Sequence, residues 1–164
     1  AARPMLDGNY GLFIYRGARL LKNIVPDFPP AFHQKLLETA RTTEKDDLLF
    51  VLAILRNYDG NAIVQNICKD LVKISPKDDS ILNEVDIILR STGVVSGEYG
   101  FVNAYEKKID EIEPWLSDDS SDVREFAKRY VSDLRKSIEW EQKRADEDIA
   151  LRKHLYGTSN QRSQ

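Results

Sequence analysis

Apolar residues recur along most of this chain with the period of an α-helix, not the alternation of a strand. From Pro29 onward, Phe32, Leu36, Leu37 and Ala40 follow one another at helical spacing, which lines up one side of a helix. Pro30 suits a first turn, where the N–H that proline lacks would have no intrahelical acceptor. A helix is therefore predicted over about 30–42. Next, "EKDDLLFVLAILRNYDGN" sets Leu48, Val51, Leu52 and Leu55 on one face and closes on Asp59-Gly60, a turn pair. "AIVQNICKDLVKIS" repeats the pattern through Ile63, Ile67, Leu71 and Ile74. It stops at Pro76, whose ring cannot continue a helix interior.

Two stretches of the chain overlay two others nearer the N-terminus. "AILR" at Ala53 to Arg56 matches "IILR" at Ile87 to Arg90, and "IVQNICKDLVKI" from Ile63 aligns with "FVNAYEKKIDEI" from Phe101. Ile63 falls on Phe101, Val64 on Val102, Ile67 on Tyr105, Leu71 on Ile109 and Ile74 on Ile112. The apolar columns coincide, and the second copy is longer only in its turn, Ser91 to Gly100, which Gly93, Gly97 and Gly100 punctuate. Asp-Asp pairs mark the helix starts at Asp46-Asp47, Asp78-Asp79 and Asp118-Asp119, where carboxylates meet free N–H groups and the positive end of the helix dipole. Helix pairs repeating about every 30–50 residues signal a stacked array. The expected pairing joins the helix ending near 58 to the one beginning near 61, and the next two likewise.

"DDSSDVREFAKRY", from Asp118 to Tyr130, carries a buried stripe of Val123, Ala127, Tyr130 and Leu134. An aspartate at the turn followed by "VREFA" resembles the first helix of a HEAT repeat, a member of the armadillo/HEAT superfamily of helix pairs, and the resemblance covers Phe32 to about Ser137. It implies an all-α fold: a right-handed α-α superhelix of roughly three antiparallel helix pairs, closed by a long C-terminal helix. It also implies that Arg124 makes polar contacts between repeats. The first two units lack a Val-Arg at that place and are divergent members.

The last helix is expected to run uninterrupted from Ser121 to about Tyr156, supported by the pairs Glu125/Arg129, Glu139/Lys143 and Asp148/Arg152. Its apolar stripe continues through Ile138, Ala145 and Ile149, while Trp140, Leu151 and Leu155 lie beside it. Trp140 stands about 160° around the helix from Ile138, so one stripe cannot bury both. Either the aromatic segment "YGLFIYRGARLL" covers it or a partner does. Residues 1–29 are read as an irregular aromatic segment, 30–156 as the repeat domain and 157–164 as a disordered tail.

With 24 Lys+Arg against 27 Asp+Glu the net charge is -3, so no global field draws the chain to nucleic acid or an anionic membrane. The interleaved charges of the last helix weaken any phosphate-tracking stripe. One cysteine, Cys68, and two histidines exclude an intramolecular disulfide framework and a zinc cluster. Cys68 aligns with Glu106 and is expected partly exposed; His33 is expected on a helix surface. No phosphate loop, nucleophile elbow or zinc-helix motif occurs, and no apolar run is long enough to span a bilayer. The pattern assigns no catalytic, cofactor-binding or metal-ligating residue and implies no cofactor. A start without Met, followed by an apolar stretch, reads as the C-terminal part of a longer protein.

Helical stacks offer extended grooves, so the expected function is a non-catalytic, cytoplasmic protein-binding or scaffold module. The partner would lie along 61–75 and 97–113 or on the flank around Trp140. Candidate contacts are Trp140, Lys136, Lys143, Tyr99 and Tyr105. The alternatives are a regulatory or sensor helical domain of a larger, nucleotide-driven enzyme, and a nucleic-acid-binding repeat.

Overall fold

The computed structural model describes residues 10–157 apart from 43 and 59–61. Among these, all regular structure is helical: α1 (Tyr10–Ile24), α2 (Pro30–Ala40), α3 (Lys45–Leu55), α4 (Ala62–Ile74), α5 (Asp79–Arg90), α6 (Gly100–Ile112), a 3-10 turn (Glu113–Ser117) and α7 (Ser121–Gly157). The all-α class expected from the apolar period is the class observed. Asp59-Gly60 and the tail beyond Gly157 lie outside the described residues.

The N-terminal segment departs from expectation, because residues 10–24 form a helix instead of an irregular run. Glycine and aromatic residues lower helix propensity, but α1 packs on α3 and buries Ala18 completely. Such packing outweighs weak local preference in a short helix.

The chain divides into two compact units, Ala1–Ser91 and Thr92–Gln164. In the first, α3 packs on α1, α2 and α5, and α4 packs on α5 and α2. Helices α1, α3 and α5 thus make one layer, and α2 and α4 the other. Between the layers α2 packs on α3 and α4 on α5, one helix out of step with the expected pairing of α3 with α4. The reason lies in α3, where Leu48, Val51, Leu52, Ile54 and Leu55 are all buried. A helix apolar on most of its circumference needs neighbours on several sides. Overlaying similar segments finds matching apolar patterns without saying which neighbour each helix takes.

Two helix starts in this unit, those of α3 and α5, follow the acidic pairs. Asp78 caps α5, its Oδ1 accepting from the N–H groups of Ser80 at 3.0 Å and Ile81 at 3.3 Å. The Ser80 hydroxyl also donates to it and is the main cause holding the Asp78 carboxyl below its ordinary pKa. Asp46 and Asp47 occupy the first turn of α3. Between α1 and α2 the chain is pinned by aromatic rings: Phe28 meets Tyr58 edge-on at 4.8 Å, and the Tyr58 hydroxyl donates to the Val25 carbonyl at 2.6 Å. His33 belongs to the edge of this cluster, its ring 6.3 Å from Phe28 and its Nε2 buried. That corrects its expected place on an open helix surface.

Cys68 is a second correction: it is fully buried, and burial pushes its thiol pKa up. On α4 it lies one turn beyond Val64, on the side packed in the core, whereas the aligned Glu106 of α6 is exposed.

In the second unit α6 packs on α7, and the 3-10 turn packs on both. Val123, Ala127, Tyr130 and Leu134 are each no more than 1 % exposed, as the stripe required. Side chains buried to this degree contribute about 1.5–3 kcal/mol each for the larger apolar ones. Trp115, 4 % exposed, closes one end of this core with its ring 6.2 Å from Phe126.

Candidate functional site

The outward faces of α7 carry most of the sequence-derived candidates. No Pro interrupts this helix and no Gly precedes its last residue, which allows 37 residues of continuous helix. At its start the Asp118 carboxylate accepts from the Ser120 N–H at 3.0 Å. Arg124 folds back, its Nη1 donating to the carbonyls of Asp118 at 2.6 Å and Asp119 at 2.9 Å. The Arg expected to reach another repeat by resemblance instead ties the turn ahead of its own helix.

Farther along, the ion pairs partly differ from the expected ones. Lys143 faces Glu147 at 3.9 Å, and Arg152 reaches Glu98 at 2.8 Å in the connection ahead of α6. Beside it the Tyr99 hydroxyl donates to the Asp146 carboxylate. This bond is the main cause of a raised Tyr99 pKa, because the deprotonated phenol would face a carboxylate. Two adjacent residues therefore latch the 91–99 connection to α7. Gly93 and Gly97 let that connection turn, with φ of 65° and 87°, a region that disfavours side chains bearing a Cβ.

Lys136, Trp140 and Lys143 share one side of α7, spaced at four and three residues. Trp140 is 60 % exposed, with the Arg144 guanidinium carbon 5.2 Å from its ring centroid. Leu151 and Leu155, 56 % and 58 % exposed, continue the same side toward the C-terminus. Spacings of eleven and four residues bring all three apolar groups within roughly 60° around the helix. Lys136 is held by Asp133 at 3.0 Å. Tyr99 and Tyr105 are not part of this side: Tyr99 is engaged with Asp146, and Tyr105 is half-buried with its ring 6.1 Å from Phe101.

Sequence reasoning missed a second feature of α7. A groove of about 500 Å³ lies where Leu116 of the 3-10 turn meets the flank carrying Lys128, Val131 and Arg135. Lys128 and Arg135, seven residues apart, share one flank of the helix, but nothing in the spacing brings Leu116 beside them.

Among the described residues no group of three or more His, Cys, Asp or Glu side chains could hold a metal ion, and no helix is long and apolar enough to cross a membrane. No family model, curated protein or solved structure matches this chain.

Proposed function

We propose that this chain is a non-catalytic protein-binding module of divergent HEAT-like helix pairs that works in the cytoplasm and presents α7 to a protein partner. The observation that carries this is the line of Trp140, Leu151 and Leu155, each more than half exposed on one side of a single helix. Aromatic side chains are favoured anchors at protein interfaces, and an apolar line flanked by charge is the surface a partner helix or groove would cover. The stacking of α1, α3 and α5 against α2 and α4 in the first unit supports kinship with solenoid repeats, in which successive helices build two layers. The lone cysteine, buried and without a disulfide, accords with a reducing compartment.

Affinity capture from a cell extract with the wild type and with Trp140→Ala tests the proposal, after circular dichroism shows equal helicity for both. A partner retained by the wild type and lost by the variant is the expected outcome. Capture of the same proteins by both would remove α7 as the binding face. Nucleic acid recovered in place of protein, and lost in Lys136→Glu with Lys143→Glu, would replace the proposal with nucleic-acid binding.

A further inference from the structure

We propose that the groove between the 3-10 turn and α7 binds an acidic peptide segment with one apolar side chain. Its floor is apolar, formed by Leu116, half-buried, and Val131, 5 % exposed. Its rim is cationic: Lys128, Arg135 and Lys136 stand around it, against the single carboxylate of Glu139. The chain as a whole is acidic, with a net charge of -3, so the groove's sign is opposite to that of the whole chain. Lys136 already has Asp133 as a partner. Lys128 and Arg135 have no ion pair among the described residues and are the charges left to meet a ligand.

Charge and shape together select the occupant. The guanidinium of Arg135 presents a fork that matches a carboxylate with two parallel hydrogen bonds, and Lys128 offers a point charge two helical turns away. An apolar residue between two acidic ones would place its side chain on Leu116 and Val131 while its neighbours reach the rim. A volume of about 500 Å³ takes such a side chain and its flanks. Nucleic acid fits less well. From Lys128 to Lys136 the helix advances only about 12 Å, room for few phosphates, Glu139 ends the row of cations, and no aromatic side chain lines the groove for a base to stack on.

The groove excludes Trp140, so this proposal stands apart from the one made for the apolar line. The whole chain is to be panned against a display library of random peptides. Enriched sequences are expected to place Leu, Ile or Phe between Asp or Glu residues. Synthetic copies should bind by fluorescence anisotropy, losing roughly tenfold to a hundredfold in affinity with Lys128→Glu plus Arg135→Glu, as expected when two charge-assisted contacts go. Affinity should also fall when the peptide's apolar residue becomes Ser, and should hold in Trp140→Ala. Both protein positions are exposed, and equal helicity by circular dichroism establishes that the double variant is folded. No enrichment, enrichment of sequences without acidic residues, or unchanged affinity in the double variant would overturn the proposal. So would a single-stranded oligonucleotide that binds more tightly than the peptides and depends on the same two residues. Binding lost in Trp140→Ala but kept in the double variant would assign the peptides to the apolar line and refute the groove.

Discussion

Helices α4 and α6 share an apolar pattern and a length of 13 residues, yet they live in different surroundings. In α4, Ile67, Cys68 and Leu71 are completely buried; at the aligned places of α6, Tyr105 and Ile109 are half-buried and Glu106 is exposed. Helix α4 packs on two other helices, α5 and α2, whereas α6 packs on one helix, α7, and on the short 3-10 turn. A repeated apolar column fixes which side of a helix turns inward. How far in it goes depends on the neighbours.

Leu71→Ala against Ile109→Ala gives the largest expected contrast. Emptying the fully buried site should cost about 2–5 kcal/mol, and the half-buried one about 1 kcal/mol, read from chemical denaturation followed by circular dichroism. Both tryptophans, Trp115 and Trp140, belong to the second unit, so their fluorescence reports on that unit alone. Leu71→Ala should move the circular dichroism transition more than the fluorescence transition. Equal shifts would mean that the two units unfold as one.

Cys68 sharpens the same contrast. Cys68→Ser places a hydroxyl where no water reaches and should cost about 1–3 kcal/mol, whereas Glu106→Ser should change little. The buried thiol has a raised pKa, so its neutral form is the one that folds. The stability this contributes is complete below the unfolded thiol's pKa of about 8.5 and is lost as pH rises above that value toward the folded one. Urea titrations near neutral and near alkaline pH should show stability falling with pH in the wild type and a shallower fall in Cys68→Ala.

Smaller effects attach to the helix starts. Arg124→Ala removes two charge-assisted hydrogen bonds to the turn ahead of α7 and should cost about 1–2 kcal/mol in the second unit. In the first unit, Asp78 caps α5 through its side chain, but Glu44 at the start of α3 makes no such bond. Asp78→Ala should lower the thermal midpoint slightly, and Glu44→Ala should leave it unchanged. Because the Asp78 pKa is lowered, its contribution is present above the ordinary aspartate pKa of about 3.9 and disappears as pH falls through the folded value. The two variants should therefore converge in acid.

Much of the secondary structure and part of the candidate site were legible in the order of residues alone. Pro30, Pro76 and the acidic pairs act within one turn of their own position, so they mark helix ends wherever the helix is placed. Trp140 could be recognised as lying off the buried stripe by angle alone, and it is indeed exposed. Tyr99 reads as a candidate partner contact in the sequence because Asp146, which its hydroxyl engages, is 47 residues away along the chain. The helical state of 10–24 was hidden for a related reason: it depends on contact with α3, and local propensity argues against it.

By itself, then, the sequence determined the all-helical class, the inward stripe of α7 and the helix starts at Pro30 and the acidic pairs, since each rests on forces acting over a few residues. Tertiary structure alone decided that α2 pairs with α3 and α4 with α5, that Cys68 is buried while Glu106 is open, and that Leu116 joins Lys128 and Arg135 around one groove. Those outcomes depend on which surfaces exclude water from one another, and apolar burial is non-directional, so a periodic pattern states the need for a neighbour without naming it.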